Sequence, residues 1–276
     1  MAQDLAQDLY GIFFDNDPKY INEVRQCPQI RCIKVPGSKH SKMTSIDVPE
    51  FASHINGLPD SFIKLVTMWL KNKYPNGLHK FDSVSGFNNN HSDMLSSWID
   101  EGASIPPNKR YAIFDFDRTI TQIEGFMSPL QEYGLSAGMK GFSEYIEKFG
   151  TDKSLVITPL MMMKYLCGTD RLPILQSAFN LCKNKHIHIV ILTNNGICKA
   201  DPLLIEDLMS VFGLKKKDFI LLCSNQYGGN KKVTLQNELE HICPFSRGKK
   251  TVRKKTLRNR FRKKTIRKKN YKKSTN

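Results

Sequence analysis

Two carboxylates that follow a short apolar run are the residues best placed to do chemistry in this chain. The run at residues 111–114 has the composition of a buried strand, and Asp115 and Asp117 follow it one residue apart. In an extended segment such side chains point the same way, so one can act as a nucleophile or metal ligand and the other as a proton donor. Two acids in this position can also simply cap the next helix. The pattern alone leaves both interpretations open.

The spacing of Asp115, Asp117 and Thr119 resembles motif I, Asp-x-Asp-x-Thr, of the haloacid dehalogenase (HAD) superfamily of phosphohydrolases. The resemblance implies that Asp115 is a nucleophile that forms an aspartyl-phosphate. It implies that Asp117 is the general acid that protonates the leaving group and then activates water. We expect Thr119 to shape the loop after the strand, and Arg118 to lie at the surface or behind the site.

Motifs II and III of that family can be sought further along the chain. An apolar run that starts at His188 ends in Thr193, whose hydroxyl, by resemblance, hydrogen-bonds the phosphoryl group. The third motif is a lysine that balances charge between the nucleophile and phosphate, and it is matched after the apolar run 219–224 by Lys231 or Lys232. A lysine pair after two glycines is also ordinary surface charge. The sequence does not choose between the two lysines.

Motif IV, a strand that ends in acids, has no match after Lys232, where one predicted helix at 233–242 leads into a basic segment. The N-terminal part of the chain supplies the missing pattern. There an apolar run ends in Asp15, at the position of the main metal ligand, with Asn16 and Asp17 beside it. The motif order is therefore IV, I, II, III, and the chain resembles a circularly permuted HAD domain.

The resemblance implies a magnesium ion as cofactor. Mg²⁺ would be held by Asp15, by Asp115 and by the backbone carbonyl of Asp117, and it would offset the repulsion between these carboxylates and a phosphate. The family usually places two adjacent acids in motif IV. In this chain Asn16 separates Asp15 from Asp17.

The expected fold class is α/β, a Rossmann-like parallel sheet flanked by helices, with a small helical cap insertion. The resemblance implies the strand order 5-4-1-2-3 for the sheet. We assign residues 1–245 to the permuted HAD-like domain and 246–276 to a basic tail. Within the domain, residues 1–35 hold the motif IV strand, its helix and a fifth strand at 30–35; residues 36–110 form a helical crossover; and residues 111–245 carry motifs I to III, with the cap at about 124–169.

Helical periodicity supports the crossover. An amphipathic helix is predicted over 58–71, a short helix near 92–99, and a further helix at 170–184 before the motif II strand. The apolar face of the first helix comprises Phe62, Leu65, Val66, Trp69 and Leu70. The aromatic residues and methionines of the cap are predicted to pack mainly in the core, and the histidines to be structural.

The charge of the chain is concentrated in its tail. Sixteen of the 42 Lys and Arg residues lie between Arg247 and Lys273, a stretch without a single acid, and the remaining 26 balance the 26 Asp and Glu residues. By itself such a segment is expected to be disordered, because like charges repel. It predicts binding to nucleic acid or another polyanion, or alternatively a nuclear address or a solubilising tail.

Composition excludes several classes of protein. No run approaches the roughly 18 apolar residues of a membrane-spanning helix, so no membrane partner is expected. The first residues carry acid where a secretory signal carries base, and the seven cysteines include no Cys-x-x-Cys pair. We therefore expect free thiols and an intracellular, reducing location, with a nucleus, a nucleoid or a virus particle equally compatible with the tail.

Two functions follow from these patterns. The first is a Mg²⁺-dependent phosphatase that acts on a phosphorylated substrate, with a tail that binds a polyanion. The second is a non-catalytic nucleic-acid-binding or packaging protein built on a degenerate HAD scaffold. Fold does not decide between them. Retention of Asp15, Asp115, Asp117, Thr193 and a lysine together favours the enzyme.

Overall fold

Five short apolar segments form a single parallel sheet, as the sequence predicts for an α/β protein. The computed structural model describes residues 9–37, 57–73, 86–122, 142–150 and 152–244. The strands are β1 (Gly11–Asp15), β2 (Ile30–Lys34), β3 (Tyr111–Phe114), β4 (His188–Thr193) and β5 (Phe219–Cys223). Their order in the sheet is β2-β1-β3-β4-β5. All four neighbouring pairs are parallel, with Phe14 opposite Phe114 in the central pair.

Helices cover both faces of this sheet. The helices of the described part are α1 (Pro18–Val24), α2 (Asp60–Lys73), α3 (Asn89–Glu101), α4 (Phe142–Phe149), α5 (Pro159–Cys167), α6 (Leu172–Asn184), α7 (Gly196–Ala200), α8 (Pro202–Met209) and α9 (Lys231–Glu238). Short 3-10 turns lie at Pro107–Lys109, Ser210–Phe212, Lys216–Asp218 and Ser224–Tyr227.

Side chains alternate across the strands and so build two apolar layers. On β1, Phe13 packs into one layer, while Ile12 and Phe14 pack into the other. Helices α1 and α9 contribute to the layer of Phe13, and α2 to α8 contribute to the opposite one. Both faces of the sheet are therefore buried, which explains why its strands are continuous apolar runs.

The crossover between β2 and β3 contains the two expected helices. Helix α2 begins at Asp60, two residues later than predicted, and buries four residues of the expected face: Phe62, Leu65, Val66 and Trp69. The side chain of Leu70 lies outside the described residues. Helix α3 is longer than the predicted 92–99, and its C-terminal carbonyls accept hydrogen bonds from the buried Arg110 guanidinium.

The segment predicted as a cap, at about 124–169, contains α4 and α5, and α6 follows it and leads into β4 as predicted. Residues 123–141 of the cap and the tail 246–276 lie outside the described residues, and so do the expectations that fall on them. Helix α9 was expected over 233–242 but spans Lys231–Glu238. It begins earlier because the Asn230 side chain accepts a hydrogen bond from the Val233 amide at 2.9 Å and so caps the helix.

Two disulfide bonds correct the expectation of free thiols for four of the seven cysteines, while Cys32, Cys167 and Cys182 are free. Cys27, just after α1, is joined to Cys243, just after α9, across 216 residues of sequence. Cys198 in α7 is joined to Cys223 at the end of β5. Sequence spacing gave no sign of either pair, because the sheet brings together residues that are far apart in the chain. None of the helices within the described ranges is long and apolar enough to cross a membrane.

Candidate active site

Two buried carboxylates lie at the carboxyl edge of the sheet, between its central strands. Asp15 is the last residue of β1, and Asp115 directly follows β3. The backbone amide of Asp115 donates to the Phe14 carbonyl at 2.9 Å, which continues the β1–β3 pairing to the acids. The connections of β1 and β3 leave toward opposite edges of the sheet. Parallel α/β sheets bind ligands at such a point.

Lys231 joins the two acids. Its ammonium donates a hydrogen bond of 2.6 Å to Asp15 Oδ2 and another to Asp115 Oδ1, and its side chain is 0% exposed. Lys231 is the first residue of α9, and its backbone amide donates to Glu23 of α1 at 3.1 Å. The neighbouring Lys232 instead donates to Gln26 Oε1 at 2.6 Å. Of the two lysines that the sequence offered, the structure brings Lys231 to the acids.

Burial and charge act against each other in this cluster. Burial raises the pKa of Asp115 well above its ordinary value, and the Lys231 ammonium offsets only part of that effect. The pKa of Asp15 is raised for the same reason. Burial alone would lower the pKa of Lys231, but the two carboxylates outweigh it and raise that pKa. Lys231 therefore carries a fixed positive charge that promotes ionisation of both acids.

Asp117 lies two residues further along, in a turn at Phe116–Ile120. It is half-buried, and the Asn195 side-chain amide donates to its carboxylate, at 3.0 Å from Oδ2 and 3.3 Å from Oδ1. Arg118 adopts a positive φ of 60°, and its amide donates to the Thr121 hydroxyl at 3.0 Å. This backbone turn, together with Asn195, fixes the direction of Asp117.

A buried arginine also holds the turn at Phe116–Ile120. The Arg171 guanidinium is 7% exposed and donates to the carbonyls of Thr119, Phe87 and Cys167, at 2.8, 2.9 and 3.4 Å. Burial lowers the pKa of Arg171 to about 10. Thr119 itself is fully buried. Arg171 therefore ties the turn after β3 to the crossover and to the end of α5.

Thr193 ends β4 beside the acids and is fully buried. Its hydroxyl oxygen accepts a hydrogen bond of 3.0 Å from the backbone amide of Asn195. Its carbonyl accepts one from the Ser224 hydroxyl at 3.1 Å, at the end of β5. A hydroxyl that accepts in this way can still donate its own proton.

Asn16 and Asp17 stand next to Asp15 but have other contacts. The Asp17 carboxylate accepts from the Lys19 amide at 2.8 Å and caps α1, while its own amide donates to Asp15 Oδ1 at 2.7 Å. The Asn16 side chain lies against Gly37, where a β-carbon would come within 2.9 Å of it. Asp17 thus supports Asp15 through its backbone.

The site offers oxygen atoms as possible ligands for Mg²⁺. No group of three or more His, Cys, Asp or Glu side chains that could hold a metal occurs among the residues that the structure describes. Mg²⁺, however, usually binds through one or two carboxylates and completes its shell with water and phosphate oxygens. Asp15, Asp115 and the carbonyl of Asp117 meet that requirement in chemical type and number.

Three site residues were missed by sequence reasoning. Asn195 holds Asp117 and also caps α7, accepting from the Ile197 amide at 3.0 Å. An Asn-Gly pair after a strand could have indicated this cap. Tyr20 lies over Lys231, and Asn194 donates to the Tyr20 hydroxyl. No sequence signal could have found these contacts, because they join segments about 170 to 210 residues apart.

Comparison of the chain with protein-family models, with curated proteins and with solved structures gives no match. Any function assigned to the chain therefore depends on the residues of the site and on their geometry.

Proposed function

We propose that the chain is a Mg²⁺-dependent phosphatase that hydrolyses phosphomonoesters through an aspartyl-phosphate on Asp115. The observation that carries this proposal is the contact of Lys231 with both Asp15 and Asp115. Three segments far apart in sequence place one cation and two acids in a buried cluster at the carboxyl edge of the sheet. The HAD resemblance implies a lysine beside the nucleophile that balances charge between the nucleophile and the phosphate, and Lys231 is placed to do so.

The order of the strands supports a permuted HAD-like fold. If β1 carries motif IV and β3 carries motif I, the order β2-β1-β3-β4-β5 corresponds to the order 5-4-1-2-3 implied by the resemblance. The candidate motif residues Asp15, Asp115 and Thr193 then all lie at the carboxyl ends of their strands. Lys231 reaches the same edge from the start of α9.

The proposed reaction has two steps that use the same two carboxylates. In the first, a carboxylate oxygen of Asp115 attacks phosphorus while the bond to the leaving oxygen breaks, and Asp117 gives its proton to that oxygen. In the second, Asp117 takes a proton from water as the water oxygen attacks phosphorus. The bond between phosphorus and Asp115 breaks, inorganic phosphate is released, and the Asp115 carboxylate is restored. The amide of Asn195 keeps Asp117 directed at the reacting oxygen.

The other residues of the site position the phosphate and its charge. Lys231 promotes ionisation of Asp115 against the effect of burial and places a positive charge beside the developing transition state. The Thr193 hydroxyl is placed to donate its proton to a phosphoryl oxygen. When bound, Mg²⁺ supplies positive charge that reduces the repulsion between the carboxylates and the phosphate.

Hydrolysis of an aryl phosphate, with and without Mg²⁺, tests the proposal. Asp115→Asn is expected to lower turnover on the order of a thousandfold or more, because the nucleophile is lost. Asp15→Asn is expected to require a much higher Mg²⁺ concentration. Asp218→Asn is the matched control, since Asp218 lies before β5 at the other edge of the sheet and contacts Lys183.

Two results would contradict the assignment of the site. The first is wild-type turnover in Asp115→Asn. The second is an unchanged Mg²⁺ dependence in Asp15→Asn, because Asp15 matters for the metal only if the N-terminal strand completes the site. Turnover in Asp218→Asn should match the wild type.

The basic tail favours a second function beside hydrolysis. Sixteen basic residues without an acid are expected to bind nucleic acid or another polyanion by releasing counterions. Affinity for single-stranded and duplex DNA should then fall steeply as salt rises and disappear when residues 246–276 are deleted. Undiminished affinity in the truncated chain would assign the binding to another part of the protein.

A further inference from the structure

Tyr20 lies at the rim of the site and contacts two of its parts at once. It belongs to the first turns of α1 and is half-buried. The centroid of its ring lies 4.3 Å from Lys231 Nζ, and its hydroxyl accepts a hydrogen bond of 2.9 Å from the Asn194 side-chain amide. No step of the proposed reaction uses Tyr20 directly.

The ring of Tyr20 is placed to hold the Lys231 ammonium. A cation within about 6 Å of an aromatic centroid is attracted by the negative face of the ring, more strongly where water is excluded. Lys231 Nζ is fully buried, and it also lies 5.7 Å from the centroid of Phe13. The ammonium is thus held by two carboxylates and by the faces of two rings. This arrangement fixes its position as well as its charge.

The hydroxyl of Tyr20 fixes a different segment. Asn194 follows Thr193, and its side-chain oxygen also accepts from the Ser224 hydroxyl at 3.3 Å. Gly229 closes the same space, since a β-carbon there would lie 3.1 Å from Asn194 Oδ1. Because the Asn194 side-chain amide bonds to both Tyr20 and Ser224, Tyr20 is connected from α1 to the loop after β4 and to the turn after β5.

We propose that Tyr20 is a positioning residue that aligns the Lys231 ammonium through its ring and the phosphate-binding loop after Thr193 through its hydroxyl. This inference rests on the proposed function, because it assigns Lys231 and Thr193 their roles in phosphate chemistry. The ring acts on the step in which charge develops at phosphorus, whereas the hydroxyl acts on the loop that receives the phosphate.

Two substitutions separate the ring from the hydroxyl. Tyr20→Leu removes both and is expected to lower kcat about tenfold, the size of a buried cation–ring contact. Tyr20→Phe keeps the ring and is expected to retain kcat within about twofold while raising KM about threefold, as for loss of one hydrogen bond. Tyr10→Leu is the matched control. Tyr10 packs against the same apolar layer as Tyr20, but it lies at the opposite end of β1.

The kinetic outcomes decide the inference in both directions. A kcat for Tyr20→Leu equal to that of Tyr10→Leu would overturn the role of the ring. An equal loss of kcat in Tyr20→Phe would assign the effect to the hydroxyl and would also overturn it. Melting curves followed by circular dichroism establish that each variant is folded at the assay temperature.

A double-mutant cycle tests the ring without any assay of hydrolysis. Tyr20→Leu, Lys231→Met and the double variant are compared by urea unfolding at pH 5, where Lys231→Met is expected to lose less stability than at pH 7. The two changes should be non-additive by about tenfold in the unfolding equilibrium constant. Additive effects of the two substitutions on unfolding would contradict a stabilising interaction between Tyr20 and Lys231. If the wild type hydrolyses no phosphate ester, the proposed function fails, and this cycle still decides whether Tyr20 holds Lys231.

Discussion

Substitution of Lys231 by methionine tests the buried charge cluster most directly. Methionine keeps the unbranched shape and most of the volume, so the change removes the ammonium and leaves little cavity. Lys231 bonds to both Asp15 and Asp115 and is fully buried. Loss of one partner of a buried ion pair costs about 3–5 kcal/mol, because the other charge is left uncompensated. Since whole domains have roughly 5–15 kcal/mol of stability, Lys231→Met should be folded only marginally at pH 7.

The pH dependence of this loss has a definite sign. Without the ammonium, burial raises the pKa of Asp15 and Asp115 in the folded protein still further above the unfolded-state values. Between the unfolded and the folded pKa the folded variant binds more protons than the unfolded chain, so its free energy of unfolding falls as pH rises. In the wild type Lys231 already opposes this rise. The loss caused by Lys231→Met should therefore be larger at pH 7 than at pH 5.

Urea unfolding at the two pH values, followed by tryptophan fluorescence, measures this effect. Both tryptophans of the chain, Trp69 and Trp98, are buried and report on loss of the core. EDTA is included so that no divalent ion replaces the ammonium. Lys232→Met is the control and should cost less than about 1 kcal/mol, as for other surface substitutions. Equal losses in the two variants, or a loss that grows on acidification, would refute the reasoning.

Three further substitutions probe the frame around the site by urea unfolding. Replacing Cys27 and Cys243 with alanine should lower the free energy of unfolding by about 2–5 kcal/mol, since the bond closes a loop of 216 residues; equal stability with and without the bond would contradict this. Arg171→Met should cost about 3 kcal/mol, because three carbonyls lose their donor; a neutral effect would refute it. Gly229→Ala should lower the free energy of unfolding by about 1–3 kcal/mol, and by more than Gly228→Ala. Both glycines have positive φ, but only a β-carbon at Gly229 would contact the Asn194 side chain. Equal losses in the two variants would contradict this crowding.

The sheet and its acids could be predicted from sequence because local patterns determine them. Strands buried on both faces are continuous apolar runs, and Asp115 marks where one of them ends. Asp15 and Thr193 also end apolar runs, and they were singled out because these ends resemble motifs IV and II of the HAD superfamily. The polar residues that follow each run indicate the carboxyl edge without any knowledge of long-range contacts.

The choice of lysine could not be predicted, because it depends on where α9 begins. Consecutive residues of a helix point roughly 100° apart. Asn230 caps the helix so that Lys231 faces the acids, and Lys232 then faces Gln26. The expected start at Val233 would have left the direction of both lysines undefined.

The disulfides and the contacts of Tyr20 were unpredictable for a different reason. Cys27 meets Cys243, and Tyr20 meets Lys231, only after the sheet has brought α1 and α9 onto the same face. Pairings between such distant residues follow from the topology, which local spacing does not encode.

The contact between Asp15 and Lys231 spans 216 residues and has a consequence for how the protein is made. On the ribosome, β1 leaves the exit tunnel about a hundred residues before β3, its partner, and more than two hundred before the lysine that neutralises its acid. Until then Asp15 stays hydrated, and the edge of β1 that later pairs with β3 is open to other chains. A nascent chain that stops between β5 and α9 therefore holds all five strands of the sheet but lacks the lysine that joins Asp15 to Asp115. We expect such fragments to expose the apolar layer of Phe13 that α9 covers in the complete chain, and so to aggregate more readily.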